Sequence, residues 1–263
     1  MTWARTGQPG SRAELPGAGA IGQQVRRIAS AAAWPTAAGR PVPVWAVVSA
    51  GLSPVLIVAG WLAADALQPA SYSPLRQTVS VLAGHAGTDR WLMTGALLLV
   101  GGCHLVTAAG LTGARPAARV LLIVAGLSSI GIATCPEPAH GSTPQHLAWT
   151  ALGAVTIALW PVFVARRSAP HPLILSPSGS AVVTAVFAAL LGWLIIETQS
   201  GADLGLAERL TSAVQISWPF IAALALRRAA PRSRQPELPA DLLPRPEEQA
   251  ITAGAPARQT ESA

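Results

Sequence analysis

The chain has 263 residues, of which 51% are hydrophobic and only 11% are charged. An average soluble domain carries about 25% charged residues, so the composition argues against a soluble enzyme or binding domain. The net charge of +6 is the balance of 18 arginines and 12 acidic residues, and in a soluble protein it would suggest nucleic acid as a partner. In a membrane protein, arginine-rich cytoplasmic loops explain it, so we expect membrane lipids and no nucleic acid as partners.

Residues 1–40 mix five arginines with Gly, Pro, Ala and Ser. Large apolar side chains are too few there to offset the entropy of ordering the chain. We predict a disordered cytoplasmic segment.

Six long apolar runs follow within residues 41–228. They cover about 44–64, 91–111, 120–135, 147–165, 180–196 and 210–226. Most have the roughly 17 to 25 residues that cross a bilayer, and each must be a helix because hydrocarbon offers no partner to bare backbone. The sequence predicts an all-α, polytopic membrane bundle of six transmembrane helices.

The first loop between spans predicts a short amphipathic helix. Ser73 followed by Pro74 is typical of a helix start, and Leu75, Val79 and Leu82 then share one face. We expect about ten residues of helix, lying on the outer leaflet or dipping into the mouth of the bundle.

This loop also suggests a nucleophile. Ser80 lies one turn before His85 and Asp89, and a serine activated by an imidazole that an acid orients is the arrangement of many hydrolases. No G-x-S-x-G motif accompanies these residues.

Within the second span, His104 lies at membrane depth, and Ser128 and Ser129 of the third span fall at a similar level. An ionisable group at this depth is a functional candidate, here a proton relay. The alternative is a neutral histidine that hydrogen-bonds one of the serines and joins the two helices.

The loop between the third and fourth spans carries Glu137, His140 and His146. A carboxylate with two imidazoles is an acceptable zinc ligand set with one open position for water. Their spacing matches no standard zinc motif, and the alternative is a hydrogen-bonded loop in which His146 caps the fourth helix.

Two of these loops together resemble a known family. The stretch 72–84 reads Tyr-Ser-Pro-Leu-Arg-Gln-Thr-Val-Ser-Val-Leu-Ala-Gly, and a later loop holds His140-Gly141 and His146. Over roughly residues 44–228 the chain resembles the bacterial membrane family catalogued as domain of unknown function 998. The resemblance implies a six-helix membrane domain and no established activity.

Arginine counting predicts the orientation. With the N-terminus inside, 15 arginines lie in cytoplasmic segments and three in outer loops, as the positive-inside rule requires. Six spans return the C-terminus to the cytoplasm, where the proline-rich tail 229–263 is predicted to be disordered. We expect a multi-pass protein of a bacterial cytoplasmic membrane.

Two classes of function remain open. The favoured one is a non-enzymatic bundle that transports a small molecule or ion, interacts with lipid or supports assembly, with a polar outer mouth. The alternative is a membrane-embedded hydrolase or metal site at the extracytoplasmic face. The sequence leaves the ligand, any cofactor and the oligomeric state open.

Overall fold

A computed structural model describes residues 41–166 and 172–229. These residues form α1 (Val44–Asp65), α2 (Val79–Ala83), α3 (Trp91–Gly110), α4 (Pro116–Thr134), α5 (Pro144–Val164), a 3-10 turn (Leu173–Leu175), α6 (Pro177–Ser200) and α7 (Leu204–Ala229). The segments predicted to be disordered lie outside the described residues, apart from Ala229.

Six of these helices are long and apolar enough to cross a membrane. The six-span prediction is therefore confirmed, although the last four helices begin three to six residues before the predicted positions. The early starts have a local cause for α5 and α6. Thr143 and Ser176 accept hydrogen bonds from backbone N–H groups of the first turn, and a proline occupies the first helical position after each.

The helices pack as an antiparallel ring in which α1, α3, α4 and α5 lie side by side and α7 returns to contact α1. Helix α6 contacts α5 and α7 at the edge of this ring. Only 11% of its most apolar stretch is buried inside the protein, so most of its surface is left for lipid. We call the end where α1, α4 and α6 finish and α3, α5 and α7 start the mouth end.

Two glycines let α3 and α4 approach closely. A Cβ on Gly101 would lie 2.7 Å from the carbonyl oxygen of Gly126, and a Cβ on Gly126 would lie 2.8 Å from the carbonyl oxygen of Gly101. In lipid, helix association depends on such close packing because apolar side chains gain little by leaving one apolar environment for another.

Buried apolar side chains form two clusters. The cluster near the mouth end includes Trp61, Leu82 and Met93. The other cluster, which includes Leu122 and Trp160, fills the opposite half of the bundle.

The ten-residue amphipathic helix is wrong in length. Residues 73–77 form a single turn, and α2 covers five residues, with Thr78 as its cap. Its Val79 and Leu82 are buried in the mouth, so of the two predicted locations the structure selects the bundle mouth.

The carbonyl groups that the longer helix would have used are bound elsewhere. Those of Pro74 and Gln77 accept from the Arg209 guanidinium at 2.7 and 2.9 Å, and that of Leu75 accepts from the backbone N–H of Leu206. These carbonyl groups therefore pair with donors of α7 and not with N–H groups of a longer local helix.

Candidate functional site

A buried arginine fastens the first loop to the bundle. The Arg209 guanidinium lies 2.8 Å from Asp65 Oδ1 and 2.6 Å from the Tyr72 hydroxyl oxygen, besides its two loop carbonyls. The Tyr72 hydroxyl in turn donates to Asp65 Oδ1 at 2.8 Å. Glu208 and Arg209 lie inside α7 and not in the loop that precedes it. A charged residue in the first turns of a membrane helix is tolerated when it is paired, as Arg209 is with Asp65.

Tyr72 supplies a test of this arrangement because it is the only tyrosine of the chain. Burial and its hydrogen bond to Asp65 raise the pKa of the phenol, and the nearby Arg209 only partly opposes this. We expect tyrosinate absorbance to appear in the folded protein well above the ordinary pKa of about 10, and near 10 after denaturation.

The raised pKa of Tyr72 also makes the stability of the folded protein depend on pH. Tyr72 contributes stability that is fully present below about pH 10 and is lost as the pH rises through the folded-state pKa. If Tyr72 ionised at the same pH in the folded and the denatured protein, that result would contradict its buried position.

Beside this fastened loop, two residues from separate predicted sites meet. Ser80 Oγ of α2 lies 3.1 Å from His146 Nε2 of α5. Both side chains are buried, with 8% of Ser80 and 2% of His146 exposed. Their hydrogen bond joins the first loop to the start of the fourth span.

The other ring nitrogen fixes the tautomer of His146. Its Nδ1 lies 2.8 Å from the carbonyl oxygen of Cys135, which can only accept a hydrogen bond. The neutral ring must therefore carry its proton on Nδ1, which leaves the Nε2 lone pair facing the Ser80 hydroxyl.

Two carboxylates complete the cluster, which we call the mouth cluster: Ser80, Glu137, His146 and Glu208. Glu137 Oε1 lies 3.6 Å from His146 Nε2. Glu208 of α7 accepts from the backbone N–H of Val79 at 2.5 Å and lies beside Ser80. The cluster thus gathers a hydroxyl, an imidazole and two acids from four parts of the chain.

The remaining predicted residues do not join it. His85 and Asp89 are exposed, and His85 reaches this region only through its backbone N–H, which donates to the carbonyl of Glu137 at 2.8 Å. His140 is exposed in its loop. Of the proposed zinc ligands only Glu137 and His146 come together, and within the described ranges no three His, Cys, Asp or Glu side chains are grouped to hold a metal ion.

The mouth cluster opens on a cavity of about 360 Å³ inside the bundle. Its walls are mainly apolar and come from α1 and from α3 to α7, with Leu97, Ile157 and Leu191 among them. His104 also lines it, 13 residues into α3, which at about 1.5 Å per residue is roughly 20 Å below the helix start. The cavity therefore reaches from the mouth deep into the membrane-spanning part.

Polar atoms along the cavity lack partners. Both ring nitrogens of His104, Thr150 Oγ1 and Gln215 Nε2 are buried without a hydrogen bond to any described residue. All three residues line the cavity. Buried polar groups are nearly always satisfied in folded proteins, so these atoms call for a partner inside the cavity.

Of the two alternatives for His104, the hydrogen bond to a neighbouring serine is wrong. Ser128 Oγ donates to the Val124 carbonyl of its own helix at 2.9 Å, and Ser129 Oγ donates to the Leu97 carbonyl at 2.7 Å. The serines are satisfied by backbone, which leaves His104 facing the cavity.

Three site residues escaped sequence reasoning: Glu208, Thr150 and Gln215. Glu208 lies before residue 210, where the predicted sixth span begins, whereas the helix itself begins at Leu204. The available signal was spacing, since Glu208 and Gln215 lie seven residues apart on one face of α7, as His146 and Thr150 lie four apart on α5.

Comparison with models of protein families gives a match over most of the described chain. The model of a family described as "Protein of unknown function (DUF998)" matches residues 51–225. No curated protein and no solved structure matches the chain.

Proposed function

The chain belongs to the DUF998 family, whose description assigns no function, so from its own cavity we propose that it binds an amphipathic small molecule within the membrane. One observation carries this proposal. A mainly apolar cavity of about 360 Å³ has the polar mouth cluster at one end. A molecule with a polar head and an apolar chain matches that division.

The carboxyl groups of the mouth cluster limit the kinds of head group that the cavity would bind. The carboxyl oxygens of Glu137 and Glu208 offer hydrogen-bond acceptors to a head group and disfavour an anion beside them. This favours a head that is cationic or that donates hydrogen bonds, such as a hydroxylated or amino head group, over a phosphate.

The size of the cavity narrows the apolar part. Small-molecule pockets range from about 300 to 1,000 Å³, and about 360 Å³ lies near the lower limit. A single chain fits this volume better than the two chains of a phospholipid. The unpartnered polar atoms of His104, Thr150 and Gln215 would hold ordered water or a polar group beyond the chain.

The setting that we propose is a bacterial cytoplasmic membrane with the mouth end on the outer side. The support is the arginine distribution. In this orientation 15 of the 18 arginines lie in cytoplasmic segments, where an excess of basic residues is the rule.

Photocrosslinking in lipid nanodiscs tests the binding. We expect a monoacylglycerol carrying a diazirine on its acyl chain to label α5 and α7 saturably, in competition with unlabelled monoacylglycerol. Ala154→Trp fills the cavity from its α5 wall and should reduce labelling more than about tenfold, since a ligand and an indole cannot share the space.

Ala151→Trp is the matched control. Ala151 lies on the same helix but is exposed on the bundle surface, so this variant should label like the unaltered protein. Equal labelling of both variants, or labelling that unlabelled probe does not reduce, would show non-specific contact from bulk lipid and overturn the proposal.

A further inference from the structure

We propose that Ser80 and His146 act as a nucleophile and its general base, and that they cleave an ester bond of the amphiphile held in the cavity. This inference rests on the binding function proposed above and adds a reaction to it. The class of substrate is a single-chain carboxylic ester with an uncharged or cationic alcohol part.

The hydrogen bond between Ser80 and His146 runs in the direction that catalysis requires, from the hydroxyl to the imidazole nitrogen. The unprotonated Nε2 of His146 lies 3.1 Å from Ser80 Oγ, within the range in which an imidazole takes a proton from a hydroxyl. The Cys135 carbonyl 2.8 Å from Nδ1 holds the ring in its tautomer. This is the orienting role that the acid fulfils in a serine–histidine–aspartate triad.

Glu137 stabilises the positive charge that the reaction creates on His146. Once Nε2 takes the serine proton, the ring becomes an imidazolium, and Glu137 Oε1 at 3.6 Å from Nε2 stabilises that cation. Glu208 acts differently, because it anchors the nucleophile's helix through the backbone N–H of Val79. We assign Glu208 a positioning role.

The cavity fixes where the ester lies. Ser80 and His146 line the cavity at its mouth, and the apolar wall residues continue below them. An acyl chain packed along that wall places its ester carbonyl at the level of Ser80, with the alcohol part toward the mouth.

The chemistry is ordinary acyl transfer and needs only water as co-reactant. Ser80 Oγ bonds to the carbonyl carbon while its proton passes to His146 Nε2. The bond between that carbon and the alcohol oxygen then breaks, and the alcohol leaves with the proton. Water next attacks the acyl-serine with His146 again as base, which releases the fatty acid and restores the serine.

Covalent labelling tests the nucleophile. A fluorophosphonate with an alkyl chain should react with the purified protein in nanodiscs, forming a phosphorus–oxygen bond at Ser80 with loss of fluoride, which intact-mass and peptide analysis detect. Ser80→Ala should abolish the adduct. Ser200→Ala, at an exposed serine of the same bundle end, should leave it unchanged.

The base has its own matched pair. His146→Ala should slow the labelling at least about 100-fold, the usual contribution of a general base. His140→Ala, at the exposed histidine of the same loop, should leave the rate unchanged. Equal rates for the two variants would overturn the role of His146.

Hydrolysis of a monoacylglycerol, followed by release of fatty acid, separates this inference from the binding function. Ser80→Ala should lose hydrolysis at least about 100-fold yet still be photocrosslinked by the diazirine probe, which also reports that it is folded. Crosslinking without a Ser80 adduct or hydrolysis in the unaltered protein would overturn the reaction and leave binding intact. Loss of saturable crosslinking in the unaltered protein would overturn both.

Discussion

Arg209→Ala is expected to lower the stability of the folded protein by about 3–5 kcal/mol, the usual cost of removing one partner of a buried ion pair. The substitution leaves the Asp65 carboxylate without the guanidinium at 2.8 Å. It also removes the donor to the carbonyls of Pro74 and Gln77. Thermal unfolding of the purified protein in nanodiscs, followed by circular dichroism, measures the loss.

Arg76→Ala is the control for that experiment. Arg76 lies in the same loop but is exposed, and surface substitutions usually change stability by less than about 0.5 kcal/mol. Equal midpoints for the two variants would show that Arg209 does not fasten the loop. Because Ser80 follows this loop, Arg209→Ala should also lower the fluorophosphonate labelling of Ser80.

Gly101→Ala is expected to destabilise the bundle by about 1–3 kcal/mol, the range for overpacking a tight contact. Its new Cβ would lie 2.7 Å from both the Gly126 carbonyl oxygen and Ile130 Cγ1. Since backbone lies on the far side, α3 and α4 must move apart. Unfolding midpoints in the same nanodisc assay measure the effect.

The adjacent glycine provides the control. A Cβ on Gly102 meets no atom within 4 Å, and alanine is the better helix former. Gly102→Ala should therefore be neutral or slightly stabilising. A Gly101→Ala variant as stable as Gly102→Ala would mean that the two helices do not cross as closely as the structure has them.

The errors at the sequence level share one cause, which is that partners from distant parts of the chain override local patterns. The pattern after Ser73 and Pro74 indicates a long helix, but α7 binds its carbonyl groups through Arg209. The sequence also allows His104 to hydrogen-bond Ser128 or Ser129 of the next span. Their predicted hydrogen bond fails because Ser129 Oγ finds a backbone carbonyl on α3 instead.

The candidate site was predicted in pieces and assembled differently. The sequence groups Ser80 with its neighbours His85 and Asp89, and Glu137 with His140 and His146, and it predicts both loops at the same end of the bundle. The structure joins Ser80 of the first group to His146 of the second across 66 positions of the chain, and it keeps Glu137 beside His146. Spacing along one helix or loop cannot reveal such a pair.

The sequence by itself determined the six spans and their helical nature. Hydrocarbon thickness sets the length of each apolar run, and the need to pair every backbone group within its own segment sets the helix. Both are local requirements that a single segment must meet.

Only the tertiary structure decided which polar side chains share a site. The rotation and depth of each helix depend on close contacts such as that between Gly101 and Gly126. In the folded protein, His146 of α5 and Glu208 and Gln215 of α7 line one cavity. Because lipid and protein interior are similarly apolar, hydrophobicity does not specify the inward face of a membrane helix, and packing between helices must do so.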